Sequence, residues 1–348
     1  VVSVEAGGVV KAAGLGEATI RLELDGAADT LTIAVVEPPE GQIAFVGLRE
    51  QREEGGSGLP LWIISADGRE LRGPLYGHAS NPSFSPDGCR LVVQETSWLR
   101  RIDVQTGYGP VIFDRSRPGP PVWAPNGERI VFSAAAQTGF EFFSIQPDGS
   151  DLRLHSSLGE RKAIRFDFFP NSKSVLLEHA ILDSVETGVS HTDLYELDLE
   201  IGAARPFFSR PSADEAFPAV SPDGRLIAFA GPVEAGGEAY MVHILGPDAV
   251  PRLLTHPSRI VVTQQHPWGA PASAGGPAFS PDGGWVAMRW NRDSRITEVR
   301  TDEQGERFAF KNTLGEIYVM RTDGSHPVRL THFFATSQPD WGPVCRGS

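Results

Sequence analysis

Short apolar runs recur along the chain, and each of them follows a tight turn. Five of these runs occupy residues 91–93, 130–132, 175–177, 226–229 and 286–288. Continuous apolar runs bounded by turn residues are typical of buried β-strands. A third strand, a second turn and a fourth strand follow, most clearly in "LWIISADGREL", "FFSIQPDGSDLRL" and "IYVMRTDGSHPVRL". Four strands per unit, repeated along the chain, predict the blades of a β-propeller.

The turn that precedes these runs is written in six versions, and the full form reads Ser-Pro-Asp-Gly. The copies occupy residues 85–88, 124–127, 169–172, 221–224, 280–283 and, in a degenerate form, 342–344. Proline fixes φ at the first turn position, Asp or Asn bonds its own backbone, and Gly accepts the left-handed conformation. Each copy therefore predicts a sharp reversal of the chain.

An apolar, mostly aromatic residue stands directly before each turn, and in five copies a proline stands two positions before that residue. The prolines are Pro82, Pro121, Pro218, Pro277 and Pro339, with Phe166 in the remaining copy. Because proline cannot donate a hydrogen bond to a neighbouring strand, the first strand of each unit is predicted to be an edge strand.

The last copy of the repeat stops after its first strand, at residues 339–341, and the missing strands stand at the other end of the chain. Residues 42–47, 61–65 and 71–76 supply strands two, three and four. The sequence thus predicts an all-β fold, a six-bladed β-propeller in which both termini build one blade. Such closure leaves no blade incomplete and no sheet edge exposed.

The succession P-x-[FW]-SPDG, an apolar strand, "IYVMRTDG" and "RLTH" resembles the WD-like (PD40) repeat of TolB-type six-bladed propellers, found in bacterial envelope and secreted proteins. The resemblance covers about residues 41–344 and departs from the pattern at "FFPNS" and "WGPVC". It implies a role in protein interaction in the cell envelope.

The first 36 residues carry a different pattern, in which apolar and polar residues alternate on both sides of Asp25-Gly26. This predicts a β-hairpin. The segment is similar to the C-terminal half of a bacterial Ig-like domain of group 2. We therefore expect a partial Ig-like domain at 1–36, a linker at 37–41 and the propeller at 42–348, in a natural protein that extends upstream.

Charge, hydropathy and cysteine content narrow the range of partners. The net charge of −13 comes without a basic stripe, which argues against nucleic acid as a partner. No apolar run approaches the roughly 20 residues of a membrane helix, so we expect no membrane span in this chain. Cys89 and Cys345 lack CxxC spacing and a neighbouring His, and we interpret them as two separate small hydrophobic residues rather than a zinc site or a redox pair.

The connections between strands differ in length on the two faces of the predicted propeller. The turns fall on one face, whereas the long connections at 48–60, 178–193, 255–276 and 291–316 fall on the other. Loops carry function more often than the scaffold that supports them. We therefore expect a ligand or partner on the loop-rich face.

Polar and aromatic residues of the crossing segments supply the binding candidates at the channel mouth. They are Arg115, Arg117, Arg161, Arg165, Asp214, Glu215, His266 and Trp268. Trp268 beside His266 suits stacking on a sugar ring or a peptide, although it also fits a role in anchoring its own loop. The arginines suit an anionic ligand, although solvated charges paired with nearby acids account for them as well.

Motifs for catalysis are missing from the sequence. There is neither a G-x-S-x-G nor an H-E-x-x-H motif. His78, His155, His256 and His332 stand where fourth strands end, spaced around the ring, so we expect no metal site and no cofactor. We predict a non-catalytic binding or scaffold module, periplasmic, secreted or on the cell surface, that contacts a protein or a cell-envelope glycan as a monomer. A glycan-active lyase or hydrolase with its site at the channel mouth is the alternative.

Overall fold

The structure, a computed structural model, describes residues 2–4, 10–12, 15–24, 27–49, 59–136, 139–157, 165–182, 190–211, 213–233, 240–255, 274–292, 296–301, 307–311, 315–332 and 334–346. The chain divides into two compact units, Val1–Pro39 and Glu40–Ser348. Every regular element in the described ranges is a β-strand. Those ranges contain no helix of the length and apolar character that crossing a membrane would need.

The first unit consists of two antiparallel strand pairs. Strand β1 (Val2–Val4) pairs with β2 (Val10–Ala12), and β3 (Gly16–Leu24) pairs with β4 (Ala27–Val35). The pairing of β3 with β4 agrees with the hairpin that the alternating pattern predicts. The connection Asp25-Gly26 lies outside the described residues.

The second unit contains the strands β5 to β30. The first fourteen are β5 (Gln42–Arg49), β6 (Leu59–Ser65), β7 (Leu71–Phe84), β8 (Arg90–Gln94), β9 (Leu99–Asp103), β10 (Val111–Phe113), β11 (Val122–Trp123), β12 (Ile130–Ala136), β13 (Gly139–Ile145), β14 (Arg153–Ser157), β15 (Phe166–Phe168), β16 (Ser174–Leu182), β17 (Ser190–Asp198) and β18 (Ala204–Phe208). The others are β19 (Ala216–Val220), β20 (Ile227–Pro232), β21 (Tyr240–Leu245), β22 (Pro251–Leu253), β23 (Ala274–Phe279), β24 (Trp285–Trp290), β25 (Ile296–Thr301), β26 (Arg307–Lys311), β27 (Glu316–Arg321), β28 (Val328–Arg329), β29 (Phe334–Thr336) and β30 (Asp340–Gly342).

Most of these strands pair antiparallel in sets of four; β25 and β26 form a separate pair, and β29 pairs with the second half of β5. Set 1 contains β30, β5, β6 and the first part of β7, and set 2 contains the end of β7 with β8, β9 and β10. Strands β11–β14, β15–β18 and β19–β22 form sets 3, 4 and 5, and β23, β24, β27 and β28 form set 6. Strand β7 serves two sets because residues 71–79 pair with β6 and residues 80–84 pair with β8.

Set 1 is completed by the C-terminal strand. Asp340, Trp341 and Gly342 of β30 pair with Ala44, Ile43 and Gln42 of β5. The Trp341 indole N–H donates to the Glu40 carbonyl oxygen at 3.0 Å. A Cβ atom at Gly342 would lie 2.5 Å from the Phe84 ring, so only glycine fits there. The predicted closure of one blade by both termini is confirmed.

The hydrophobic core is divided into layers between neighbouring sets. Phe84 of set 2 packs in one cluster with Ala44 of set 1, and Trp123 of set 3 packs in the next with Val92 of set 2. The apolar runs that follow the turns are buried, as predicted; Val92 has no exposed surface. Apolar burial on both faces of each sheet stabilises the arrangement, at roughly 25 cal/mol per Å² of apolar surface.

The repeated turn owes its shape to its serine and its aspartate. In the first copy, the Ser85 hydroxyl donates to Asp87 and accepts from the Arg90 N–H at 2.9 Å, while Asp87 accepts from the Cys89 N–H at 2.9 Å. Gly88 has a φ of +69°, in the left-handed region that glycine tolerates. The predicted chain reversal is confirmed.

Two sequence-based interpretations are wrong. Cys89 and Cys345 form a disulfide, because closure of the ring brings the turn of set 2 beside the C-terminal tail, 256 positions away in sequence. The connections predicted at 178–193 and 291–316 are partly strand, since β16 and β17 continue their ladder as far as the pair Leu182 and Ser190, and β25 pairs with β26 within the second connection. Continued pairing satisfies backbone groups that a loop would leave to water.

Candidate functional site at the mouth of the central channel

A cavity of about 610 Å³ is lined by the first strand of every set. Each of these inner strands runs from the loop-rich face to a turn on the opposite face, so the cavity is the channel at the centre of the sets. Six residues, one directly before each inner strand's proline or Phe166, form its mouth. We call them the mouth ring: Asn81, Pro120, Arg165, Phe217, Gly276 and Gln338.

Three members of the mouth ring have left-handed backbones. The φ angles are +47° at Asn81, +54° at Phe217 and +61° at Gly276. At each of them the inner strand shifts register against its partner, which is the mark of a β-bulge. Because left-handed φ is unfavourable for residues with a side chain, these positions of Asn81 and Phe217 are held by their surroundings. The bulge turns the chain at the entrance of the channel.

Below the mouth ring lies a second layer, which we call the proline collar. It consists of Pro82, Pro121, Phe166, Pro218, Pro277 and Pro339. Five of these six residues have no N–H group, so this part of the inner edge offers few hydrogen-bond donors. The inner strands are edge strands, as their prolines predict, and the collar gives the channel an apolar wall.

Arg165 lies across the channel mouth. Its Nη1 donates to the side-chain oxygen of Asn81, which belongs to set 2, whereas Arg165 precedes the first strand of set 4. Its guanidinium carbon lies 5.2 Å from the centre of the Phe217 ring. Its Nε atom is buried and has no hydrogen-bond partner in the described ranges. Burial lowers the pKa of Arg165, while the nearby Glu178 opposes that change.

Glu178 fixes the position of Phe217. Its side chain is 5% exposed, and it accepts a hydrogen bond from the Phe217 N–H at 2.9 Å. The Glu178 N–H in turn donates to the Arg165 carbonyl oxygen at 3.0 Å. Burial raises the pKa of Glu178 to about 7, against the opposing effects of the Phe217 N–H and the Arg165 charge. The contact therefore ties the mouth residues of sets 4 and 5 together.

Deeper in the channel, side chains of one inner strand accept hydrogen bonds from the next. Asp340 accepts from the Phe84 N–H at 2.6 Å, Ser83 from the Trp123 N–H at 3.1 Å, and Asp167 from the Val220 N–H at 2.8 Å. The three acceptors occupy the same position of the repeat, between the collar residue and the aromatic residue. We call them the clasp residues.

The two aspartate clasps also serve the chain that follows them. Asp167 accepts from the Phe168 N–H at 2.8 Å, and Asp340 accepts from the Trp341 N–H. Asp167 and Asp340 belong to sets 4 and 1, and in the sets before them, sets 3 and 6, the clasp position holds Val122 and Ala278, whose side chains have no acceptor. The Phe168 and Trp341 N–H groups therefore find their acceptor in the aspartate of their own strand. Burial raises the pKa of Asp167 to about 6 and that of Asp340 to about 7, and the charge of Asp167 adds to the rise at Asp340. Both carboxyl groups can thus hold a proton near neutral pH.

Arg165 is the member of the predicted binding set that lines the cavity in the described part of the chain. Arg115 and Arg117 are exposed on the crossing segment before β11. Arg161, His266 and Trp268 lie outside the described residues.

The two predicted acidic site residues have partners within the protein. Asp214 accepts from the Thr192 N–H at 2.9 Å and from the Tyr240 hydroxyl, and the fully buried Glu215 binds Arg210 Nε at 2.7 Å. These contacts anchor the crossing between sets 4 and 5. They do not bring Asp214 or Glu215 to the wall of the cavity.

Phe217, Asn81 and the aspartate clasps were missed as site residues. A signal for them was present, because each occupies a fixed position next to a repeated proline or aromatic residue. The contacts between sets were not available from that signal, since they join residues up to 256 positions apart.

Comparisons with known proteins identify the fold. No protein-family profile matches the sequence, and no curated protein matches it significantly. Among solved structures, TolB from Acinetobacter baumannii matches with a TM-score of 0.63 and 18% identity over 87% of this chain and 67% of that one. A putative TolB from Agrobacterium tumefaciens matches with 0.56 and 15% over 88% and 99%, and a chain of a nidogen/laminin complex with 0.55 and 9% over 88% and 100%. The chain therefore has an all-β, TolB-like propeller fold.

Proposed function

We propose that the chain is a non-catalytic binding or scaffold module that contacts another protein or a cell-envelope glycan through the loop-rich face of its propeller. The observation that carries this proposal is the contrast along the inner strands. The collar and the turns repeat from set to set, whereas the mouth ring differs in every set and lines a cavity of about 610 Å³. Varied residues on a repeated scaffold are the usual arrangement of a binding site.

The disulfide supports a location outside the cytoplasm. Disulfides persist in secreted and periplasmic proteins and are rare where thiols are kept reduced. Cys89 and Cys345 are the whole cysteine content of the chain, and both are used in the bond. We accordingly propose a periplasmic, secreted or cell-surface protein.

The same proposal covers the organisation of the chain. We infer that the six sets of four strands are the six blades of a closed propeller, with residues 37–41 as the linker and residues 1–36 as part of an Ig-like domain. The strand pairings of sets 1 to 6 and the division at Pro39 support this interpretation.

A retention experiment tests the binding function. Immobilised full chain is exposed to an envelope extract and compared with an Asn81→Ala/Phe217→Ala variant of the mouth ring. A Lys173→Ala/Arg225→Ala variant changes two exposed residues beside the turns of the opposite face and serves as the control. We expect a protein or glycan that is retained by the natural sequence and by the control but lost by the mouth variant. Equal retention by all three, or none by any, would overturn the proposal.

A glycan-active lyase or hydrolase is the second candidate, and the clasp carboxyl groups favour it. A carboxylic acid with a pKa near 6 or 7 is suited to general acid catalysis at neutral pH, and Asp167 and Asp340 meet this condition. The test is turnover on a panel of polysaccharides. Cleavage by the natural chain that disappears in a folded Asp340→Asn variant would establish an enzyme in place of a binding module.

A further inference from the structure

Arg165 forms no ion pair in the described part of the chain. Arg165 is the one cation among the described residues that line the cavity, and its hydrogen-bond partner is the neutral Asn81 side chain. The acid whose charge reaches it, Glu178, is occupied by the Phe217 N–H at 2.9 Å. A guanidinium keeps its charge at any physiological pH, and a desolvated charge without a counter-ion is unfavourable. Glu178 offsets part of this cost, and the two acids of the lining, Asp167 and Asp340, lie deeper, at the clasp positions. An anion that enters at the mouth would pair with Arg165 and offset more of it.

We propose that Arg165 is the anchor for the free carboxylate at the C-terminus of a protein ligand. The inference rests on the proposed binding function and names the chemistry that the mouth recognises. Arginine presents N–H groups in a planar fork that matches a carboxylate with two parallel hydrogen bonds. One of its five donors binds Asn81 and the Nε donor is buried, so the remaining Nη1 and Nη2 donors would bind the ligand carboxylate.

The guanidinium is already oriented for such a ligand. The Phe217 ring lies 5.2 Å from its central carbon, a distance at which a cation is attracted to an aromatic face. Phe217 is itself held by Glu178, and Asn81 holds the other side of the guanidinium. Fixing both neighbours before the ligand arrives reduces the conformational entropy that binding would otherwise cost.

The wall next to Arg165 favours a peptide over a glycan. The proline collar supplies apolar surface and, at five of its six positions, no N–H group. A sugar needs hydrogen-bond partners for its hydroxyl groups, and the collar offers few. A terminal residue with an apolar side chain would place that side chain against the collar while its carboxylate binds Arg165. Capture of a terminal carboxylate is a recurrent mode of peptide recognition.

A pair of peptide libraries tests the anchor. Random hexapeptides with a free C-terminus and the same hexapeptides with an amidated C-terminus are screened against the full chain by fluorescence anisotropy. We expect binders with an apolar last residue whose affinity falls at least tenfold on amidation. Arg165→Gln should lower their affinity at least tenfold, whereas Arg225→Gln, an exposed arginine beside a turn of the opposite face, should leave it unchanged. Circular dichroism and thermal unfolding of each variant establish that it is folded.

Three outcomes would overturn the anchor. They are a library without binders, binders that are indifferent to amidation, and an Arg165→Gln variant of full affinity. Polygalacturonate is included as a probe, and Arg165-dependent binding of that polymer in the absence of peptide binding would assign the site to acidic glycans instead. Retention of an envelope partner by Arg165→Gln would remove the anchor but leave the proposed binding function, whereas loss of all retention by the natural chain would remove that function itself.

Discussion

Two junctions between neighbouring sets use the same hydrogen bond in different surroundings. Between sets 4 and 5, where the chain is continuous, Asp167 accepts from the Val220 N–H at 2.8 Å. Between sets 1 and 2, which β7 joins, the acceptor lies on the C-terminal strand β30, where Asp340 accepts from the Phe84 N–H at 2.6 Å. We call the second junction the seam.

The seam carries contacts that the junction of sets 4 and 5 lacks in the described ranges. Cys345 is bonded to Cys89, and the Gln42 side chain donates to the Gly88 carbonyl at 2.7 Å and to the Pro343 carbonyl at 3.0 Å. The β30 strand pairs only three residues with β5. Strand β29 adds three pairs farther along β5. A backbone hydrogen bond adds about 1 kcal/mol net to stability, so these short ladders alone are a weak closure. The comparison teaches that the extra contacts hold β30, the strand of set 1 that the chain does not connect directly to its partner β5.

Removal of the C-terminal strand should destabilise the seam more than any other change. Deletion of residues 338–348 takes away Trp341, which is 6% exposed, and uncovers Phe84 and Ile43. Burial of such side chains contributes about 1.5–3 kcal/mol each, and the deletion also removes Cys345 with its disulfide, so we expect the free energy of unfolding to fall by at least about 5 kcal/mol. Urea unfolding of the deleted chain, with deletion of residues 347–348 as the control, measures this. An unaltered unfolding curve would mean that β30 does not close the ring.

Loss of the disulfide should have the next largest effect. The bond joins residues 256 positions apart, and a cross-link over so long a loop restricts the unfolded chain by about 3–5 kcal/mol. We expect the urea midpoint of a Cys89→Ser/Cys345→Ser variant to fall by a corresponding amount. Reductant should lower the midpoint of the natural chain in the same way and leave the variant unchanged. Equal midpoints for the two chains would contradict a structural role for the bond.

Replacement of each aspartate clasp residue by alanine compares the stability of the two junctions directly. Asp167→Ala and Asp340→Ala each leave a buried backbone N–H without its acceptor, which costs about 1–3 kcal/mol. At pH 5.5 and with the disulfide intact, we expect similar losses in the free energy of unfolding. In the Cys89→Ser/Cys345→Ser background, Asp340→Ala should cost more than Asp167→Ala, because only Asp340 is at the seam. Additive effects at both sites would show that the clasp and the disulfide act independently.

The smallest expected effect is a dependence of stability on pH. The folded-state pKa of Asp340, about 7, lies above its ordinary value of 3.8. A raised acid pKa means that the folded chain holds the proton more tightly, so this contribution is complete below pH 4 and is lost as the pH rises through 7. We expect it to be about 1–2 kcal/mol, since the carboxyl group faces a channel that water can enter.

Comparison with Asp340→Asn isolates this contribution. The amide oxygen still accepts from the Phe84 N–H but does not titrate, so the free energy of unfolding should fall less between pH 4.5 and 8 than in the natural chain. Parallel curves for the two chains would show that Asp340 does not carry the effect. Other titrating groups, such as Glu178, cancel in the difference.

The strand order and the closure could be predicted from the sequence because both depend on local chemistry that is repeated. The Ser-Pro-Asp-Gly turn is built from side chains within five residues of each other, as in the bonds between Ser85, Asp87 and Arg90. The last copy of the repeat ends after its first strand, at Trp341, so the strands that complete its set are expected at the other end of the unit.

The contacts between sets could not be predicted in the same way. The partners Cys89 and Cys345, or Phe84 and Asp340, become neighbours only after the ring has closed. Asp214 illustrates the opposite case, in which a loop acid that suits binding has its capacity used by Thr192 and Tyr240. Packing decides which charged side chains remain able to bind a ligand, and the pattern of apolar and polar residues in the sequence does not show this.

The disulfide also decides how the propeller responds to mechanical tension. A pull on the chain beyond Cys345 is transmitted through the sulfur bridge to Cys89, in the turn before β8, so β30 is shielded from the load. Without the bridge, the same pull would peel the three residue pairs of β30 from β5 one after another. The covalent link thus takes the load off the β30 ladder and places it on the chain that precedes Cys89.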